Sequence, residues 1–572
     1  MNITRRSATT TQLDNVGLHP LLQRLYTSRG IQSSQELETG LEHLLPFSLL
    51  KGIDELIAHL YAALQAQQHI LILGDFDADG ATSSALAVSA LQRFGAKKVS
   101  YLVPNRFEYG YGLTPEIVDV AFERKPDVII TVDNGISSVE GVARANELGM
   151  KVLITDHHLP GDHLPAAAAI VNPNQTGDTF PSKNLAGVGV IFYVMLALRS
   201  HLRQVNWFTE KNITEPNMAE FLDLVTLGTV ADVVPLDHNN RILVQQGLRR
   251  MRAEKIRPGI QALLEIANRK NNRLVANDLG FAVAPRVNAA GRLEDMSLGI
   301  ACLLADDFKI ALPMAQRLDE LNKERREIET TMQEQAVLAL SKLQLTQDLP
   351  MGLCLHDASW HQGVIGIVAS RMKDRVHRPV IAFASLNEHE LKGSARSVPG
   401  LHIRDALDAV AKRYPTLIQK FGGHAMAAGL SLSVENYPAF SAAFAEEVAR
   451  HLSPEDLQQK RVSDGELAET EITLDTAALL RESGPWGQAF PEPLFDNQFY
   501  IREQYIVGGK HLKMSLSLTE DSAPIDAIAF FVDLEKWPNH RAYKIHAAYR
   551  LDVNEYQGRK KVQLLVEDLW AV

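Results

Sequence analysis

Five short runs rich in branched apolar residues, 69–74 (HILILG), 99–103 (VSYLV), 127–132 (DVIITV), 151–155 (KVLIT) and 169–171 (AIV), alternate with helix-period stretches such as 81–94 and 137–148. A strand with no polar face must be covered on both sides. Strands that alternate with helices over about 100 residues therefore indicate βαβ units and a buried parallel sheet. The fold class is α/β. The apolar stretch 185–198 and the segment 218–231 read as buried helices of the same domain.

The rest of the chain divides by pattern. A length of 572 residues implies about three to five domains. From Pro313 to Leu349 there is no Gly or Pro, and apolar residues keep a helical spacing amid dense charge, which predicts a long connecting helix over 307–349. A second, smaller α/β pattern occupies 350–458, with strands near 352–356 and 379–383 and a helix near 363–376. Within 459–572, the runs 499–507, 511–518, 525–532, 543–552 and 561–567 predict a five-stranded β-barrel of the OB-fold type. Residues 1–47 form an N-terminal extension and 48–306 the parallel-sheet domain.

Composition narrows the class. Cys302 and Cys354 stand alone, so neither a thiolate metal site nor a disulfide framework is expected, and a cytoplasmic location follows as the default. The longest apolar run, 185–198, is about a third short of a membrane span, so no membrane partner is expected. The formal net charge of −11 disfavours a partner held by bulk charge, such as duplex DNA.

The chemistry concentrates in GDFDADG, Gly74 to Gly80, directly after the first strand. Three aspartates at alternate positions, Asp75, Asp77 and Asp79, are costly in one turn unless a cation neutralises them. A calcium loop of the helix–loop–helix type would need a Glu where Leu86 stands. A polar turn that caps the following helix remains open as the blander reading. The acids recur at the ends of other strands, as Asp133-Asn134-Gly135 and as Asp156-His157-His158. Residues beyond the carboxyl ends of parallel strands converge on one crevice. Asp232, in TLGTVADVVPL, is a fourth acid, for which a helix-terminal role is as plausible as a ligand role.

In this order DFDADG, VDNG, TDHH and TVADVVP resemble the four motifs of the DHH phosphoesterases. PRVNAAGR at 285–292, WHQGVIGIVASR at 360–371, GSARS at 393–397 and FGGHAMAAGL at 421–430 are similar to the longer RecJ branch of that family, the single-strand-specific 5′→3′ DNA exonucleases. The resemblance implies a DHH catalytic domain, a DHHA1 accessory domain and an OB-fold barrel. It further implies Asp77, Asp79, Asp133, His157 and Asp232 as ligands of two divalent cations, Mg²⁺ or Mn²⁺. Asp133 would bridge them, Asp75 and Asp156 would stand in or next to the ligand shell, and His158 would sit near the scissile phosphate. Carboxylates with one imidazole suit either ion, and a metal pair can activate water and stabilise both oxygens of an in-line displacement at phosphorus.

The remaining motifs supply donors for a nucleic-acid strand. Arg286 and Arg292 flank Asn288 in a turn-like string, and a guanidinium fork suits phosphate. Gly393 to Arg396, including Ser394, and Gly422-Gly423-His424 read as glycine turns able to form an anion nest, with Gln362 to Gly366 at a helix start. Arg106, Tyr109 and Tyr111 offer a cation and aromatic faces for unstacked bases, although packing explains the tyrosines equally well. The barrel segment 462–572 carries 11 Lys+Arg against 18 Asp+Glu, yet Lys510, His511, Lys513, Arg550 and Arg559 to Lys561 could line a local basic groove.

The resemblance implies trimming of single-stranded DNA to mononucleotides in recombination, mismatch repair and base-excision repair, by a monomer working with a single-strand-binding protein and a helicase. A small-molecule or short-oligonucleotide phosphoesterase and a non-catalytic DNA-binding scaffold of the same fold are the alternatives. The first would lack the segment after 460, and the second would have lost ligand carboxylates that are present here.

Overall fold

The computed structural model describes all residues except 1, 8–12, 14–16, 106–107, 110–111, 345–348, 459 and 557. They group into two compact units. The larger comprises Ile3–Gly291, Asp295–Leu318 and Val462–Val572, and the smaller comprises Asp319–Arg461 with Arg292–Glu294.

In the larger unit a short strand β1 (Asn2–Arg5) precedes a parallel sheet of β2 (Ile70–Leu73), β3 (Val99–Leu102), β4 (Val128–Val132), β5 (Lys151–Thr155) and β6 (Ala169–Val171), in the order β3-β2-β4-β5-β6. Its central strands are buried on both faces: every residue of β2 and β4 is inaccessible or nearly so, as an all-parallel sheet requires. One face packs Leu71, Leu73, Ile129 and Val152 against Leu113, Ile117, Val118 and Val142. The chain leaves β2 toward β3 on one side and returns to β4 on the other. That reversal opens a crevice at the carboxyl ends of β2 and β4.

The predicted connector is a single helix, Phe308–Gln344. The smaller unit contains a mixed sheet of β7 (Leu353–His356), β8 (Val380–Ser385), β9 (Glu390–Arg396), β10 (Lys420–Gly423) and β11 (Ala427–Ser433), ordered β10-β11-β9-β8-β7. Phe383, Phe440 and Phe444 form the middle of its core.

β12 (Lys460–Ser463) pairs with β1. The C-terminal region closes as a barrel of β13 (Phe495–Val507), β14 (His511–Ser517), β15 (Ile525–Ala529), β16 (Lys544–Tyr556) and β17 (Arg559–Ala571), ordered β13-β14-β15-β17-β16. This is the predicted five-stranded OB-fold, with β15 ending three residues short of the apolar run that suggested it. The N-terminal extension is tied to the root of the barrel. Arg29 makes a two-pronged contact to Asp464 at 2.9 Å on each side, both side chains buried, and Arg5 donates to Asp496 at 2.8 Å.

Candidate metal centre

The loop after β2 is shaped by its own carboxylates. Asp77 caps the helix Ala78–Arg93, its Oδ1 accepting from the N–H groups of Asp79 at 2.9 Å and Gly80 at 3.0 Å. The capping reading was therefore correct for one aspartate and does not exclude a second use of its other oxygen. The loop folds back so tightly that a Cβ on Gly80 would lie 2.5 Å from the Asp75 carbonyl oxygen. From outside, Asn288 Oδ1 accepts from Ala78 N–H at 2.7 Å. Asp79 turns inward: its two oxygens accept from Gly187 N–H at 2.6 Å and Val188 N–H at 2.9 Å. These are the first residues of the helix Gly187–Gln204, whose positive end suits a carboxylate.

Asp133 follows β4 with φ of +63°, a left-handed conformation that costs a non-glycine residue about 1 kcal/mol or more. Its backbone N–H is held by the Thr155 carbonyl at 3.1 Å, and its side chain is buried. After β5, Asp156 organises the histidines. Its Oδ1 accepts from His157 N–H at 2.7 Å and His158 N–H at 3.1 Å and lies 2.7 Å from His158 Nδ1, while Oδ2 accepts from Ile136 N–H at 2.9 Å. Asp156 thus positions the His158 imidazole and the His157 backbone. His157 Nε2 lies 3.0 Å from Asp133 Oδ1 and 3.6 Å from Asp232 Oδ2. Asp232 is delivered by the end of the helix Leu222–Ala231.

Three overlapping sets of ligand atoms result, each gathered within 4.8 Å: Asp75, Asp77 and Asp133; Asp133, His157 and His158; and Asp79, His157 and Asp232. Burial, together with repulsion from Asp79 and Asp77, pushes the Asp133 and Asp232 carboxyls well above the usual carboxylate range. Burial and Asp77 raise Asp79 to about 7. Burial alone would lower His158, but Asp156, Asp75 and Asp232 outweigh it and raise the imidazole to about 9. The cluster gathers more carboxylates in a buried place than its imidazoles can balance, the condition that a divalent cation relieves. Its oxygen-rich donor set with imidazole fits Mg²⁺ or Mn²⁺.

Two glycines that sequence reasoning passed over complete the centre. A Cβ on Gly187 would stand 2.5 Å from Asp133 Cβ, and one on Gly228 would stand 2.8 Å from Asp79 Oδ1. Both lie inside apolar runs, GVGV and TLGT, where a glycine at a helix start or in a helix interior was the available signal.

Elsewhere the structure corrects several readings. PRVNAAGR is not a turn but part of the helix Ala284–Leu293; Asn288 spends its oxygen on Ala78, and Arg286 Nη1 donates to the Ala282 carbonyl. Gly393 to Arg396 and Gly422-Gly423 are not turns either. They lie within β9 and β10, where Gly393 faces Leu430 and Gly422 faces Gly429, so ladder pairing replaces the expected nest. Gly393 is needed there because a Cβ would stand 2.5 Å from the Phe383 ring.

Ser394 Oγ accepts from Arg396 Nη1 at 3.1 Å, and burial lowers the pKa of this guanidinium. A Cβ on Gly366 would stand 2.9 Å from Arg396 Nη2. Gln362 Oε1 is buried without a hydrogen-bond partner among the described residues. His424 N–H donates to the Ala427 carbonyl at 2.8 Å, and Arg292, within the smaller unit, donates to the Gly363 carbonyl at 3.2 Å. Tyr109 packs beside the sheet core; Arg106 and Tyr111 lie outside the described residues.

On the barrel's outer face Tyr505, Lys513 and Ile528 sit side by side on three neighbouring strands. Beyond them His511 meets the exposed Phe530 and Phe531 rings at 5.1 and 4.8 Å, with Lys510 Nζ 4.9 Å from the Phe531 ring centre. Arg550 is instead paired with Glu492 and Glu567.

Comparison with known proteins agrees with this architecture. The DHH family N-terminal domain matches residues 69–229, the DHHA1 domain 345–450 and the RecJ OB domain 463–568. A single-stranded-DNA-specific exonuclease RecJ of Escherichia coli is 54% identical over 97% of this chain and 96% of its own. Crystal structures of RecJ from Thermus thermophilus in complex with Mn²⁺ and with Mg²⁺ superpose with TM-scores of 0.80 and 0.75 at 29% and 27% identity. Each covers 100% of this chain, and 79% and 77% of its own. The chain belongs to the RecJ family of single-stranded-DNA-specific exonucleases.

Proposed function

We propose that this chain hydrolyses single-stranded DNA from its 5′ end to mononucleotides at a centre holding two divalent cations. The observation that carries this reading is the overlap of the three donor sets, in which Asp133 and His157 each belong to two. Asp133 and His157, each common to two sets, would be ligands shared by the pair of ions. Asp77, Asp79, His157 and Asp232 would complete the ligation with Asp75 beside them. When bound, the ions supply charge stabilisation and an activated water.

The chain's own residues do the rest. Asp156 holds His158 in place through Nδ1, so that its imidazole could present a proton to the leaving oxygen. Ser394 and Arg396, with Gln362, whose Oε1 has no partner among the described residues, supply polar groups suited to a strand's terminal phosphate. The Lys510–Lys513 face of the barrel offers a cation–aromatic surface for bases farther along. The divisions at 48–306, 307–349, 350–458 and 459–572 would then separate catalysis, linkage, strand closure and auxiliary binding. Within this reading the enzyme is a cytoplasmic monomer that serves recombination, mismatch repair and base-excision repair beside a single-strand-binding protein and a helicase.

The test is digestion of end-labelled single-stranded and duplex DNA with Mg²⁺, Mn²⁺ or chelator. Labelled mononucleotide appearing first from the 5′ end, only from single strands and only with metal, and none from the Asp133→Ala variant, is expected. Full activity of that variant refutes the reading.

A further inference from the structure

Among the described residues, the most exposed large apolar side chain is Phe281, 77% accessible. It sits in a widened π turn, Leu279–Val283, that runs directly into the helix Ala284–Leu293. Such turns are rare and occur frequently at functional sites. Both ends of this segment are pinned to the metal centre. On one side a Cβ on Gly280 would lie 3.1 Å from Val230 Cγ1, two residues before Asp232. On the other, Asn288 caps Ala78, and a Cβ on Gly291 would lie 1.8 Å from the Phe76 carbonyl oxygen. These close approaches set the segment between the helix that delivers Asp232 and the DFDADG loop. Next to Gly280, the exposed Phe281 ring therefore lies beside the end of the helix that delivers Asp232.

We infer that Phe281 is a stacking platform for an unpaired base of the strand whose phosphodiester lies at the metal centre, and so a residue that sets the preference for single strands. A phenyl face accepts any base, as a sequence-tolerant nuclease needs, and a base still paired in a duplex has no free face to offer it. The inference rests on the proposed hydrolysis of single-stranded DNA at this centre and adds a residue that binds without touching the metal ligands.

The experiment compares the full chain with Phe281→Ala and Phe281→Trp on an oligonucleotide series in which one abasic nucleotide is moved stepwise from the 5′ end, with kcat and KM measured in Mn²⁺. Phe281→Ala is expected to raise KM about tenfold with kcat within about twofold, and Phe281→Trp to restore it. An abasic nucleotide at one position should raise the wild-type KM similarly and add nothing in Phe281→Ala. An unchanged KM in Phe281→Ala, or abasic losses that add fully to the mutation at every position, overturns the inference. So does a reduced Mn²⁺-induced thermal shift in Phe281→Ala, which would make the residue structural. Absence of hydrolysis by the wild type would instead sink the proposed function.

Discussion

Gly187→Ala is the substitution whose outcome separates a metal centre from a packed cluster of acids most cleanly. Gly187 opens a helix with an unstrained backbone, so alanine by itself would be neutral or favourable, by at most about 1 kcal/mol. Its Cβ, however, would stand 2.5 Å from Asp133 Cβ and 2.7 Å from Asp133 Oδ1. Ordinary carbon–carbon contact begins near 3.5 Å, so one partner must move by about 1 Å. The helix start cannot yield easily, because Asp79 holds the N–H groups of residues 187 and 188. Asp133 must move instead. Overpacking costs about 1–3 kcal/mol, leaving a net loss of about 0–3 kcal/mol. A displaced ligand costs far more in function: disturbing the support of a metal ligand lowers affinity about 10–100-fold. Calorimetric titration of Mn²⁺ into both proteins, with thermal denaturation in chelator alongside, measures the two effects separately. Mn²⁺ affinity within twofold of wild type in a folded Gly187→Ala protein would refute the placement of Asp133 in the ligand shell.

Asn288→Ala removes the acceptor from Ala78 N–H and should cost about 1–2 kcal/mol in thermal stability with weaker Mn²⁺ binding; unchanged values on both counts would show the cap to be dispensable. Asp133→Asn relieves repulsion among buried carboxylates, so the metal-free protein should melt at or above the wild-type temperature while the Mn²⁺-induced rise disappears, both read by differential scanning fluorimetry. At the barrel root, burial opposes the charge of Asp496, but hydrogen bonds from Arg5, Ser463 and His546 outweigh it and hold its carboxyl below the usual range. A depressed carboxylate stabilises above its unfolded pKa and loses that contribution as pH falls through the folded one. Wild-type stability should therefore drop below about pH 4 more steeply than that of Asp496→Asn in acid titrations followed by tryptophan fluorescence.

What could be read from residues alone divides along physical lines. The five strands of the parallel sheet and the barrel were legible because branched apolar runs have few other ways to be buried. The acids at the strand ends were legible because sheet topology fixes where those ends meet. Asp79 shows where this stops: its position in DFDADG marked it as a ligand, but its bonds to Gly187 and Val188 join residues 108 and 109 apart, which no local pattern encodes. Asn288 is the mirror case, a polar residue taken as a donor to substrate that is partly spent on capping its own protein. The glycines of GSARS and FGGH were misread because glycine punctuates turns far more often than it relieves crowding inside a strand, as Gly393 does against Phe383. Phe281 was invisible because a π turn has no sequence signature.

The buried pairing of Arg29 with Asp464 carries a consequence for how the protein is made. The larger unit is discontinuous: its first stretch leaves the ribosome early, the whole smaller unit follows, and the carboxylates that satisfy Arg5 and Arg29 arrive only with the last segment. Throughout most of synthesis those guanidinium groups lack their native carboxylates, and Arg29 has only the nearby Leu25 carbonyl and Ser28 hydroxyl. The interposed accessory unit has time to fold before those last contacts are made.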